Sequence, residues 1–159
     1  MDLEQFYDSF GEKLYHYLIL KLGSADDAED VLQNVFCRLA RYSVRLKFVR
    51  NLQAYVFSLA RNEANRYLKK KIQSRETREN NATFPGIIQN SFSAPDAQDV
   101  QLVSECLAQL PEDQREVIVL KVFEGLTFKE IAIVCGLSMN TAASRYRYGM
   151  EKLRANLEG

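Results

Sequence analysis

The side chains best suited to chemistry in this sequence form a polar set near its carboxyl end. They carry hydroxyl, amide, guanidinium and phenol groups: Ser138, Asn140, Thr141, Ser144, Arg145, Arg147 and Tyr148. Such groups hydrogen-bond with base edges and phosphates, so the chemistry they suit is recognition of a nucleic-acid duplex. The sequence shows no phosphate-binding glycine loop, metal-ligand cluster or nucleophile–base pair at recognisable spacing. We therefore expect a protein that is not an enzyme and has no metal or cofactor.

The residues around this polar set predict a helix, a tight turn and a second helix over 126–153. Thr127 and Glu130 have the spacing of a capping box at the start of the first helix. Gly136 can adopt the positive φ that ends this helix, and Ser138 can cap the next one. Apolar residues recur in the second helix at three- and four-residue steps: Ala142, Tyr146, Met150, Leu153 and Leu157. The polar set and Thr127 would then face a DNA major groove, with Arg145 contacting phosphate. The alternative is that the two helices form a plain structural hairpin that binds no DNA.

A second set of residues suited to nucleic acid lies in the first half of the chain. The loop from Ser43 to Asn51 holds Arg45, Lys47 and Phe48, which can grip phosphate and stack a base. The helix predicted after this loop shows cations and amides close to Tyr55: Arg61, Asn62, Asn65, Arg66 and Lys69. A solvated basic helix face is the simpler interpretation. Rings among the cations favour binding to single-stranded or partly melted nucleic acid.

An acidic cluster opens the second predicted helix, after a first helix that Gly23 ends. The buried stripe of the second helix is predicted to be Ala28, Val31, Leu32, Val35, Phe36 and Leu39. Acids near a helix start favour its positive dipole end, which is the simplest explanation for the cluster. Capping does not need all of the polar residues that follow, so they also suggest a docking patch for a protein: Asp27, Asp30, Gln33 and Asn34.

Composition predicts two small domains rather than one. The 159 residues are 47% apolar, but positions from about 73 to 98 lack helical periodicity and gather Asn, Ser and Pro. We expect helical domains at 1–72 and 99–159 joined by a flexible linker at 73–98, with no strands. In the second domain a helix starting at Pro111 and running through Phe123 is expected to pack under the helix-turn-helix.

The remaining composition bears on the compartment. The net charge is zero, so overall charge gives no general attraction to nucleic acid. The three cysteines, Cys37, Cys106 and Cys135, occupy apolar-periodic positions, which predicts buried free thiols in a reducing compartment. No apolar run approaches the length of a membrane span. We expect a cytoplasmic protein that does not insert into a membrane.

Together these features resemble the extracytoplasmic-function (ECF) sigma factors of bacterial RNA polymerase, which belong to the sigma-70 family. The segment from Asp27 to Phe36, with Glu29, resembles their polymerase-docking helix, and Leu59-Ala60-Arg61-Asn62 resembles their −10 helix. Several short motifs resemble the domain that reads the −35 element: Leu110-Pro111, Arg115, Val117, Leu120, Gly125-Leu126-Thr127, Glu130-Ile131-Ala132, Asn140-Thr141 and Ser144-Arg145. This sequence also departs from the family pattern at several positions. Family members usually have Trp where Tyr55 stands, an acid where Arg66 stands, and basic residues at some positions held here by Ala143, Tyr148 and Met150.

The resemblance implies a sigma factor that binds core RNA polymerase, at the β′ clamp and the β flap, and directs it to promoter DNA. Polymerase contacts would come from Asp27, Glu29, Asp30, Gln33 and Asn34. The −10 contacts would come from Arg45, Lys47, Phe48, Tyr55 and the polar face of the following helix, and the −35 contacts from the helix-turn-helix. An anti-sigma factor is an expected partner. The alternative is a helix-turn-helix regulator whose first domain binds another protein or a ligand.

Overall fold

The computed structural model describes residues 3–75 and 97–159, and the chain divides into two compact units, 1–85 and 86–159. Every regular element in these described ranges is helical, which confirms the predicted all-α fold. The predicted linker at 73–98 lies outside the described residues except at its ends, where positions 73–75 and 97–98 are helical. The bounds of the two domains and of the linker stay predictions. No helix in the described part of the chain is long and apolar enough to cross a membrane.

The first unit contains four helices: α1 Leu3–Leu22, α2 Ala25–Arg41, α3 Ser43–Leu46 and α4 Leu52–Arg75. Gly23 has φ +73° and ends α1 as predicted. Ser24 caps α2 by accepting from Asp27 N at 3.3 Å, and Asn51 Oδ1 accepts from Ala54 N at 3.1 Å at the start of α4. The short α3 lies inside the segment predicted to be a loop.

The core of the first unit lies where α1, α2 and α4 meet. Side chains with at most 1% exposure from all three helices fill it: Leu14, Tyr17, Leu18, Val31, Val35, Leu39, Val56 and Phe57. The rings of Tyr17 and Phe57 pack edge to face with centroids 5.6 Å apart. Because each helix contributes only one apolar face, α2 and α4 keep their other faces polar and exposed.

The second unit contains α5 Ala97–Ala108, α6 Glu112–Ile118, a π-helical turn Val119–Phe123, α7 Phe128–Cys135 and α8 Met139–Glu158. Its core joins α5, α6 and α8 through Cys106, Leu107, Leu110, Ile118 and Leu153. The predicted continuous helix after Pro111 is therefore wrong in detail, because the chain widens into the π-helical turn. Val122, in this turn, is 54% exposed.

Two residues lie where α6 meets its neighbours. Arg115 NH1 lies 3.5 Å from the carbonyl oxygen of Ala108 at the end of α5. Burial lowers the pKa of Arg115, and the charges of Glu112 and Glu116 oppose that shift. On α8, Gly149 is buried, and a Cβ atom there would come within 2.8 Å of Ile118 Cδ1. The absence of a side chain at Gly149 therefore allows α8 to cross close to α6.

The prediction of three buried cysteines is wrong for two of them. Cys106 is buried and free, Cys135 is half-buried, and Cys37 is exposed. Cys37 follows Gln33 and Asn34 by four and three residues, so it shares their outward face rather than the buried stripe of α2.

Candidate functional site

The outer face of α2 carries most of the predicted docking patch. Glu29, Asp30, Gln33 and Asn34 are all exposed. Their spacing of one, three and four residues puts them on one side of the helix, next to its apolar stripe. The face offers two carboxylates and two side-chain amides, a set suited to a basic or hydrogen-bonding partner.

Asp27 is placed differently from the rest of the predicted docking patch. Its Oδ1 accepts a hydrogen bond from the Tyr67 hydroxyl at 2.5 Å, and its Oδ2 lies 2.6 Å from Lys71 Nζ. The Asp27 side chain is only 15% exposed. Both carboxylate oxygens are thus engaged by α4, and Asp27 fastens the amino-terminal end of α2 to that helix.

The predicted base-stacking segment between α2 and α4 is open to solvent. Phe48 is 83% exposed, and both Arg45 and Lys47 are exposed. Arg45 sits over the Tyr42 ring, with its guanidinium carbon 5.6 Å from the ring centre. An exposed ring beside cations can stack on a base while the cations hold the phosphate backbone.

The predicted nucleic-acid face of α4 forms one stripe. Tyr55, Asn62, Arg66 and Lys69 are exposed and follow one another at steps of seven, four and three residues. Asn65 is exposed beside them, whereas Arg61 is half-buried and makes an interaction within the protein. The stripe combines a ring, amides and cations, which are the groups that bind bases and phosphates of a single strand.

A buried acid lies beneath this stripe. Glu63 is 6% exposed, and its Oε1 lies 2.5 Å from Arg38 Nε of α2 and 3.5 Å from Arg66 NH1 of α4. Within the described residues no donor is aligned for a hydrogen bond to this oxygen, so both contacts are ion pairs. The Glu63 carboxylate therefore forms ion pairs with guanidinium groups from two helices.

The predicted helix-turn-helix is present with its caps. Thr127 Oγ1 accepts from Glu130 N and Glu130 Oε1 accepts from Thr127 N, both at 3.1 Å, which completes the capping box. Gly136 has φ +67° at the end of α7. Ser138 accepts from Thr141 N at 3.1 Å and starts α8. The turn therefore joins α7 to α8 through capped helix ends.

The outer face of α8 presents much of the predicted base-reading set. Asn140, Thr141, Arg147 and Tyr148 are exposed, and Ser144 is half-buried. The Arg147 guanidinium carbon lies 5.1 Å from the centre of the Tyr148 ring, so the two side chains make a cation–π contact. Thr141 Oγ1 accepts a hydrogen bond from Ser138 Oγ at 2.9 Å. Two groups of the predicted set are thus already bonded at the helix start.

Arg145 already has an ion-pair partner within the protein, and Leu157 is more exposed than predicted. Arg145 is half-buried, and its Nε lies 3.6 Å from Asp113 Oδ2 of α6. A phosphate contact by Arg145 would compete with this ion pair. Leu157, predicted to extend the buried stripe of α8, is 41% exposed. The stripe ends at Leu153, which packs in the core.

Several residues that shape these surfaces were not found from the sequence. The pairs Asp27–Lys71 and Arg38–Glu63 join positions on different helices, so their spacing along the chain carries no signal. Gly149 did carry a signal, because an isolated glycine within a helical pattern often marks close packing.

Comparisons with known proteins bear on both units. Residues 6–73 match the family described as Sigma-70 region 2, and residues 101–153 match Sigma-70, region 4. RNA polymerase sigma factor CarQ of Myxococcus xanthus is 33% identical, over 80% of this chain and 72% of that protein. RNA polymerase sigma factor SigZ of Bacillus subtilis is 26% identical over 100% and 89% of the two chains. ECF RNA polymerase sigma factor SigL of Mycobacterium tuberculosis is 29% identical over 96% and 86%.

The fold has solved counterparts as well. The sigma factor RpoE, in complex with the anti-sigma factor NepR from Bartonella quintana, superposes with a TM-score of 0.80 at 24% identity. The alignment covers 98% of this chain and 96% of that one. CnrH in complex with the cytosolic domain of CnrY gives a TM-score of 0.68 at 22% identity. With both sigma-70 regions matched in order and relatives aligned along most of their length, the chain belongs to the ECF sigma factors of the sigma-70 family.

Proposed function

We propose that this protein binds core RNA polymerase and directs promoter recognition and transcription initiation. The observation that carries the proposal is the pairing, in one chain, of a sigma region 2 unit with polar faces on α2 and α4 and a region 4 unit with a capped helix-turn-helix. A regulator with an unrelated first domain does not need the region 2 unit. The protein acts without catalysis of its own and works in the cytoplasm, where the polymerase is.

Polymerase docking falls to the exposed face of α2. Glu29, Asp30, Gln33 and Asn34 would contact the β′ clamp directly. Asp27 contributes by holding α2 on α4, since Tyr67 and Lys71 occupy its oxygens. The second unit would contact the β flap.

Capture of the unpaired −10 strand falls to the segment around Phe48 and the stripe of α4. Phe48 and Tyr55 would stack on bases, and the amides of Asn62 and Asn65 would bond to base edges. Cations would hold the phosphates: Arg45, Lys47, Arg61, Arg66 and Lys69. Such a surface accepts a strand only after the duplex has opened, which ties binding to promoter melting.

Recognition of the −35 duplex falls to α8. Asn140, Ser144 and Arg147 would reach base edges in the major groove, with Tyr148 supporting Arg147. Thr127, Ser138 and Thr141 lie at the capped helix starts, where backbone N–H groups suit phosphate. Arg145 would join them by exchanging Asp113 for phosphate.

Arg147 and Ala143 give a test of the reading face. Replacing Arg147 by Ala should weaken binding to the promoter duplex more than to scrambled DNA, because a guanidinium bonded to a base discriminates by about 1–3 kcal/mol. Replacing Ala143 by Arg should tighten binding to both DNAs, since it adds a cation one turn before Arg147. Both effects are measured by fluorescence anisotropy of the full chain over a range of salt. Equal weakening of both DNAs by Arg147→Ala would make Arg147 a phosphate contact.

An anti-sigma factor is the proposed inhibitory partner. Support comes from the solved structure of the sigma factor RpoE, which has the same fold and was determined in complex with the anti-sigma factor NepR. The exposed polar faces of α2 and α4 would be covered in the inhibited state, which would block polymerase docking and strand capture together.

Size-exclusion chromatography with core RNA polymerase tests the proposal against the alternative regulator. The full chain should elute with the core enzyme and remain bound at moderate salt. A chain that elutes alone, while still binding promoter duplex, would favour the regulator.

A further inference from the structure

The ion pairs around Glu63 link the docking helix to the DNA-facing helix. Glu63 Oε1 is 2.5 Å from Arg38 Nε but 3.5 Å from Arg66 NH1. The side chains are 7% exposed for Glu63, 38% for Arg38 and 51% for Arg66. The shorter contact thus comes from α2, and the cation on the proposed DNA stripe is held more loosely.

This asymmetry matters because a buried carboxylate needs a cation. Leaving an ionised acid without a partner in a protein interior is costly, which favours a guanidinium beside Glu63. If Arg38 were absent, Arg66 would be the remaining ion-pair partner among the contacts of this cluster. Arg66 would then be drawn inward and its charge would be neutralised by Glu63 instead of a phosphate.

We propose that Arg38 is a positioning residue for capture of the unpaired strand. By neutralising Glu63 from α2, it leaves the Arg66 guanidinium available to a DNA phosphate. This inference rests on the proposed function, in which Arg66 contacts the −10 strand. Arg38 itself acts from beneath the stripe, through the carboxylate, and needs no contact with DNA.

The test uses the full chain and a fluorescently labelled single-stranded oligonucleotide of mixed sequence, titrated at several salt concentrations. Arg66→Gln should weaken binding roughly threefold and reduce the salt slope by about 0.7, the value for one phosphate contact on a single strand. Arg38→Gln should produce the same loss. Glu63→Gln should bind at least as tightly as the natural chain.

The decisive comparison is Arg38→Gln in the Glu63→Gln background, where it should have no effect on affinity or salt slope. Arg41→Gln serves as the matched control, since Arg41 is an exposed arginine on the same helix. It should leave both quantities near those of the natural chain. A thermal melt of each variant separates lost folding from lost binding, because a merely structural role moves the melting temperature and not the salt slope.

Two results would overturn the inference, and only the second would also remove Arg66 from the proposed strand-binding site. An equal loss from Arg38→Gln in both backgrounds, or no loss in either, would show that Arg38 does not act through Glu63, while the role of Arg66 would stand. Unchanged binding by Arg66→Gln would remove Arg66 from the proposed strand-binding site, and the inference would fall with it. If Arg38→Gln unfolds alone, a loss within the Glu63→Gln background still contradicts the proposal.

Discussion

Replacing Asp30 by Lys is expected to weaken binding to core RNA polymerase by at least about 2 kcal/mol, or roughly thirtyfold. Asp30 is exposed at the centre of the polar face of α2. Reversing its charge removes an acceptor and adds a cation where the proposed partner surface is basic. Titration of labelled full-length chain with core enzyme measures the loss. The melting temperature should stay nearly constant, because an exposed charge contributes little to stability.

Two variants make the result on Asp30 specific. Asp8→Lys makes the same change at an exposed position on α1 and should leave polymerase affinity unchanged. Asp27→Ala should instead lower the stability of the first unit by about 1–3 kcal/mol, because it leaves Tyr67 and Lys71 without their shared carboxylate. Equal polymerase affinity for Asp30→Lys and the natural chain would remove α2 from the docking surface.

Replacing Gly149 by Leu is expected to destabilise the second unit by roughly 1–3 kcal/mol, the usual cost of overpacking a core. A Cβ atom at this position would lie 2.8 Å from Ile118 Cδ1 and 3.3 Å from Gln114 Cβ. Ile118 is 1% exposed and has little room to move away. We expect α8 to shift away from α6, which would also impair duplex binding. A thermal melt followed by circular dichroism measures the destabilisation.

Smaller and matched substitutions separate packing from helix propensity. Gly149→Ala should cost less than Gly149→Leu, because alanine adds only the Cβ atom to the close contact, while both residues favour helix over glycine by a similar amount, up to about 1 kcal/mol. Ala155→Leu places the same side chain at an exposed position of α8 and should change stability by less than about 0.5 kcal/mol. A Gly149→Leu chain as stable as the natural one would contradict the close crossing of α6 and α8.

Local chemistry made the caps of the helix-turn-helix predictable. The capping box of Thr127 and Glu130, the positive φ of Gly136 and the Ser138 cap depend on residues at most three positions apart, and the structure confirms them. The buried apolar stripe of α2 and the exposed polar stripe of α4 were also predictable, because helical periodicity depends on residues only three or four positions apart. The family was also predictable, because its motifs lie in short segments in both units.

Contacts between helices were not predictable in the same way. Asp27 was grouped with its neighbours on α2, yet Tyr67 and Lys71, about forty positions later, draw it toward α4. Glu63 belongs to a basic segment by sequence, but its burial and its pairing with Arg38 depend on how α2 packs on α4. Val122, an apolar residue in the π-helical turn after α6, is likewise exposed.

Run-off transcription with core RNA polymerase tests the central claim most directly. The assay uses a library of duplex templates, with the natural chain, the Asp30→Lys chain or no added chain. We predict that the natural chain directs transcripts from a defined subset of templates, and that these transcripts fall sharply with Asp30→Lys and are absent without the chain. The same transcript pattern with and without the natural chain, under conditions where a known sigma factor directs initiation, would contradict the account.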